Sequence, residues 1–235
     1  MTELLHMTDN YLKRFEAEIK EVTDEGVVLD RTAFYPLGGG VENDIGMLVI
    51  DGKKYNVTGV FWKDRKPLHI LEGATGLKKG LKVNGEIDWT RRYRLMRAHT
   101  AAHVLEAMVF KKTGALIGSG GVKLEKSYLG FTLENMDKEL IMQAVEDANK
   151  IIEDGAPVKI YFMKREEVLA APDLVKLANK LPPAIKELRI VDIKGIDRQA
   201  CGGPHVADIG EIGKIEVVKI ENKGKNNRKL SYRVI

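Results

Sequence analysis

The chain has 235 residues, 44% of them hydrophobic, and its 38 Lys plus Arg stand against 34 Asp plus Glu for a net charge of +4. That apolar content supports one large or two ordinary packed domains and excludes a disordered chain, while so mild a charge leaves nucleic-acid binding to local clusters. One cysteine excludes an intrachain disulfide framework; with no basic-then-apolar leader in "MTELLHMTDN" and no run near the roughly 18 apolar residues that span a membrane, a soluble cytoplasmic protein is expected.

From about Tyr11 to Trp89 the chain alternates in short runs, "RFEAEIKEV", "GVVLD", "GMLVIDG", "KYNVTGVFW" and "VNGEIDW", divided by Gly, Asp and Asn. Such punctuation predicts a small β-barrel or sandwich. After Trp89 the period changes: Leu95, Ala98, Ala102, Leu105 and Val109 form one helical stripe that stops at Gly114. A second helix is predicted with Asp137 as N-cap, an apolar side of Leu140, Ile141, Ala144, Val145, Ala148, Ile151 and Ile152, and an end at Gly155. The runs "VKIYFM", "LRIVDI", "IEVVKI" and "LSYRVI" read as strands around it, and "REEVLAAPDLVKLANKLPP" as short helices broken at Pro172 and Pro182. The fold class is therefore α+β: a barrel domain over residues 1–89 and an α+β domain over 90–235, with the boundary near Asp88 to Arg92.

His99 and His103, four residues apart on the first helix, project from one face and can grip a single ion. "QACGGPH" holds a second i, i+4 pair, Cys201 and His205. Gly202, Gly203 and Pro204 between them cannot continue a helix, so this pair belongs to a tight loop. Three imidazoles and one thiolate form a ligand set that favours zinc. Thr100 follows His99 where a metalloprotease helix has Glu, so that activity is unsupported. Four ligands make a closed site and three leave a position open, and the sequence does not choose between them.

"RRYRLMRAHTAAHVL" with the distant "CGGPH" resembles the zinc-binding editing domain shared by alanyl-tRNA synthetases, threonyl-tRNA synthetases and free-standing alanyl-tRNA editing proteins of the AlaX type. "LDRTAFYPLGGGVENDIGML" is similar to the glycine-rich motif that precedes this domain in alanyl-tRNA synthetases and in medium-length AlaX proteins. The resemblance covers nearly the whole chain and leaves no sequence for an aminoacylation domain. It implies a zinc-dependent deacylase acting in trans on tRNA(Ala) mischarged with serine, with one zinc ion per chain. It also implies that Thr32 reads the serine hydroxyl and that the backbone of Gly38, Gly39 and Gly40 lies near the substrate. Two positions depart from the family pattern: Val41 stands where glutamine is usual, and Pro204 where threonine is common.

Arg91, Arg92, Arg94 and Arg97 crowd the start of the first helix and are the expected contacts to tRNA phosphates, with "KGKNNRK", Lys223 to Lys229, as a second basic cluster. His6 and His69 are expected to be structural. Two other readings stay open: a zinc-stabilised tRNA-binding module without catalysis, and a deacylase of another mischarged aminoacyl-tRNA such as glycyl-tRNA(Ala).

Overall fold

The computed structural model describes residues 1–133, 137–171, 174, 185–224 and 228–235. Most of the helical stretch expected between Pro172 and Pro183, and the middle of the 223–229 basic run, lie outside the described residues. The chain divides into two compact units, Met1–Leu95 and Met96–Ile235.

The first unit contains β1 (Glu3–Leu4), β2 (Arg14–Thr23), β3 (Gly26–Leu29), β4 (Arg31–Thr32), β5 (Gly46–Ile50), β6 (Lys53–Lys63), β7 (Lys66–Leu71) and β8 (Lys82–Ile87). Six of these close a barrel in the order β2-β3-β7-β6-β5-β8, every neighbouring pair antiparallel. Closure leaves the barrel no exposed edge. The period-2 pattern explains the filling: in β2, Phe15, Ala17 and Ile19 are buried while Arg14 and Glu16 between them face out. Each fully buried Ile, Val or Phe contributes about 1.5–3 kcal/mol.

The structure refines the sequence reading at β7, which carries Pro67 near its start and His69 at its centre. Asp64 (φ 49°) and Arg65 (φ 62°) make the two-residue connection from β6, both in the left-handed region that such hairpins require.

Helix α1 runs Trp89–Thr113. Every residue from Ala98 to Val109 is buried, so the helix is enclosed on all sides and not only along its Leu95 stripe. The second unit continues with β9 (Ile117–Gly121), β10 (Ser127–Phe131), α2 (Lys138–Asp154), β11 (Val158–Lys164), α3 (Arg165–Leu169), β12 (Glu187–Ile193), β13 (Asp197–Ala200), β14 (Ile215–Asn222) and β15 (Arg228–Val234). They form two antiparallel sheets, β14-β15-β10-β9 and β11-β12-β13. Asp137 caps α2 as expected, accepting from the Leu140 N–H, and Ile141, Ala144, Val145, Ala148 and Ile152 face inward. No helix among the described residues is long and apolar enough to cross a membrane.

Between β13 and β14 the "CGGPH" loop is tied at both ends. The Cys201 N–H donates to Arg189 O on β12 (3.0 Å), and Ala207 O accepts from Val158 N–H on β11 (2.8 Å). The sheet thus fixes the loop's path where α1 brings its histidines.

Candidate metal centre

The structure brings His99, His103, Cys201 and His205 together, one ligand atom of each lying within 4.8 Å of all the others. Cys201 Sγ is 3.6 Å from His99 Nε2 and 3.4 Å from His205 Nε2. Bonds of about 2.0–2.1 Å to nitrogen and 2.3 Å to sulfur, at tetrahedral angles, would place N and S about 3.6 Å apart. The two Cys201–histidine distances are those of a tetrahedral site, and all four residues lie close enough together to be candidates for holding one ion.

Hydrogen bonding fixes which imidazole nitrogen each histidine offers. His99 Nδ1 faces the carbonyl of Pro204 at 3.2 Å, and a carbonyl only accepts, so Nδ1 carries the proton. His205 Nδ1 lies 3.0 Å from Thr100 Oγ1, whose own hydrogen is donated to Met96 O (2.9 Å); the Thr100 oxygen must therefore accept, from His205 Nδ1–H and from the Val206 N–H (3.2 Å). His103 Nδ1 meets Asp197 Oδ2 at 2.9 Å. The Gln199 amide also lies 3.1 Å from that nitrogen, but its two hydrogens go to Asp197 Oδ2 (2.9 Å) and Glu106 Oε2 (3.1 Å). All three rings hold a proton at Nδ1 and turn Nε2 toward Cys201, the arrangement in which outer partners orient metal-binding imidazoles.

The electrostatics agree. Burial would raise the Cys201 thiol, but the charges of His99 and His205 and the hydrogen bonds of His103 and His205 pull it well below its ordinary value, toward the thiolate a metal needs. Burial and the neighbouring His99 push His205 well below its ordinary value, toward the neutral ring that ligates. Burial alone would lower His103, yet the hydrogen bonds and charges of Asp197 and Cys201 raise it to about 10, so a cation entering the cluster would displace a proton there.

Asp197, Gln199, Thr100 and Arg189 escaped the sequence reading. Arg189 is almost wholly buried, and its Nη1 donates to Cys201 O (2.7 Å) and Gly203 O (2.9 Å), bracing the loop from behind. No local pattern marks these residues, because each reaches its partner from a distant part of the chain or across a loop.

In the barrel unit, Thr32 has no exposed surface. His69 Nδ1 lies 3.2 Å from Val27 O and so carries the proton; Nε2 then accepts the Thr32 hydroxyl hydrogen at 2.8 Å. With the Phe34 N–H donating to Thr32 Oγ1 (3.1 Å), that oxygen keeps one lone pair for a further donor. Gly38 and Val41 exchange backbone hydrogen bonds across Gly39 (φ 56°) and Gly40 (φ 82°), so the glycine run is a two-residue hairpin that needs left-handed conformations at both central positions. Val41 is buried, where an apolar side chain suits the position better than glutamine would.

The arginine cluster separates into different roles. Arg92 corrects the expectation: it is fully buried, ion-paired with Asp44, and bonded to Asn10 O (3.1 Å) and Ala33 O (2.6 Å), so its guanidinium is not available to phosphate. Arg91 holds Asn43 O (2.9 Å) and Glu42 (3.2 Å), and Arg97 holds Ile212 O (2.9 Å) and Ile235 O (2.9 Å). Arg94 alone of the four is exposed. In the second cluster Lys223 pairs with Glu221, and Arg228 is buried against Asn222 (2.6 Å).

Two family models match the chain: one described as tRNA synthetases class II (A), over residues 2–91, and one described as Threonyl and Alanyl tRNA synthetase second additional domain, over residues 188–231. The alanyl-tRNA editing protein AlaX-M of Saccharolobus solfataricus is 45% identical across 100% of this chain and 99% of its own. The protein of the same name from Methanosarcina barkeri is 41% identical, with both chains covered in full at 100%. The alanine–tRNA ligase of Metallosphaera sedula is 36% identical over 94% of this chain, which corresponds to 25% of that protein.

Proposed function

The chain belongs to the alanyl-tRNA editing protein family, and on that premise we propose that it hydrolyses seryl-tRNA(Ala) in trans, in the cytoplasm, with a zinc ion held by His99, His103, Cys201 and His205. The observation that carries this reading is the convergence of one nitrogen from each of three imidazoles and the Cys201 sulfur within 4.8 Å of one another. A bound zinc ion would supply Lewis acidity to the aminoacyl group or to the attacking water. The chain's own residues do the rest. Pro204 O, Asp197 and Thr100 keep each imidazole proton at Nδ1. Cys201 is the partly exposed ligand, whereas His205 is buried, so a substrate would approach from the Cys201 side and His205 would stay in place.

In this reading the Met1–Leu95 unit is the specificity barrel and Met96–Ile235 the editing domain. An apolar synthetase pocket rejects an added hydroxyl by only about a hundredfold, so mischarging with serine must be corrected afterwards. The correcting site can be far more selective, because a group placed to bond a hydroxyl is left unpaired by alanine, a discrimination of about four orders of magnitude. Thr32 is the residue proposed for this role; it is wholly buried in this structure, so the serine hydroxyl would reach its remaining lone pair only after a covering side chain moves aside.

The test offers the protein seryl-tRNA(Ala), alanyl-tRNA(Ala) and seryl-tRNA(Ser), with and without a zinc chelator. Rapid loss of the first alone is expected, abolished by chelation and by His103→Ala. Equal hydrolysis of all three would refute the specificity, and hydrolysis of none would leave a metal-stabilised RNA-binding module.

A further inference from the structure

The β6–β7 hairpin reads "FWKDRK" from Phe61 to Lys66, two aromatic residues followed by three cations and one acid. A soluble protein normally covers such rings; here Phe61 is 41% exposed and Trp62 47%, with Leu37 at 45%. Leu37 is hydrogen-bonded alongside β6, its N–H donating to Val60 O at 2.9 Å. Trp62 lies close to the glycine loop: a Cβ on Gly38 would stand 3.3 Å from the indole Nε1.

The cations beside it differ in availability. Lys63 pairs with Glu25 and Lys66 with Glu21, both at exposed sites where such pairs are weak and open to exchange. Arg65 is exposed and has no acidic partner within salt-bridge distance among the described residues. Its left-handed conformation (φ 62°) is the one that the two-residue turn requires. By contrast, Trp89 is already partnered: Tyr11 and Tyr93 lie 5.6 Å from its ring, and Lys13 Nζ sits 4.5 Å above it.

We infer that this hairpin is a contact surface for RNA, on which an unpaired base of the tRNA stacks against Trp62 while Arg65 holds an adjacent phosphate. A half-exposed indole and, three residues on in the same hairpin, an exposed guanidinium supply the aromatic face and the cation by which proteins bind unstacked bases. This rests on the editing reading, which makes tRNA the partner.

The chain has two tryptophans, so Trp89→Phe leaves Trp62 as the only indole. Titrating uncharged tRNA(Ala) into that variant is expected to quench its emission saturably. Because stacking contributes about 1–3 kcal/mol per base, Trp62→Ala should raise KM for seryl-tRNA(Ala) by about tenfold and leave kcat nearly unchanged. Trp62→Phe should recover part of the loss. Arg65→Asn, a residue that tolerates the same backbone, should reduce the slope of log affinity against log salt by about one. Unchanged emission, or an unchanged KM in Trp62→Ala, overturns the proposal. So does a concentration-dependent dimer that Trp62→Ala dissolves without altering KM, since the face would then belong to a second copy of the chain. Uncharged tRNA needs no hydrolysis to bind: quenching without ester cleavage would sink the editing reading and leave this surface standing.

Discussion

Gly203 leaves no room for a side chain. A Cβ there would stand 2.5 Å from His99 Cε1 and 2.8 Å from its Nδ1, closer than real Cβ contacts occur, and the ring it would strike is a proposed ligand held by Pro204 O. Gly203→Ala is expected to displace the imidazole and weaken zinc binding by tenfold or more, the range found when the outer support of a ligand is lost; competition against a chelating dye would read it, and unchanged affinity would show that the ring can shift without consequence. His99, His103, Cys201 and His205 were legible because their i, i+4 spacings are local. Asp197 and Thr100 were not, since they meet His103 and His205 across 94 and 105 residues, and no spacing rule reaches so far. Arg92 was misread for the same reason: its partner Asp44 lies 48 residues earlier, and a charge run in sequence looks alike whether it is solvated or buried.

At the scale of elements, legibility followed local punctuation. The α2 helix was read from its cap and its stripe, and both are observed. Asp137→Ala removes the acceptor of the Leu140 N–H and should lower stability by about 1 kcal/mol, a fall in Tm of about 2–4 °C for a chain of this size; an unchanged melting curve would mean that the cap is dispensable. The β6–β7 hairpin was missed because Asp64 and Arg65 carry a turn that usually announces itself with Asn-Gly or Gly-Gly, and because Pro67 argues against a strand. Strands β9 and β10, rich in glycine, gave no alternation to read. The α1 stripe predicted one buried face, while tertiary packing buries the helix all round.

For the whole molecule, the two sequence textures, β-alternation and then helical periods, are the barrel of the first unit and the α+β arrangement of the second. Stability should depend on pH through the barrel's interior. Burial pushes His69 down to about 4, against a small opposing effect of its bond to Val27 O, while in the unfolded chain it returns to about 6.5. Between those values the unfolded state binds more protons than the folded one. His69 therefore imposes no penalty above pH 6.5, and stability falls as pH drops from 6.5 toward 4, by as much as about 3 kcal/mol. Melting curves across that window should show a steeper decline for the wild type than for His69→Gln, and parallel declines would exclude His69 as the source.

The proposed metal ligands come in two instalments, His99 and His103 on α1 and then Cys201, 102 residues after His99, with His205 behind it. During synthesis the histidine pair emerges long before the loop that completes the set. Two imidazoles on a nascent helix would form a weak site that follows the general affinity order, in which copper stands above zinc, because the geometry that could override that order is not yet built. The four-ligand geometry that separates tetrahedral ions from those preferring square or octahedral sites can therefore form only when the loop arrives. Supply of the correct ion matters most at that late moment of biogenesis, and a chain that traps the wrong metal would do so on its first half-site.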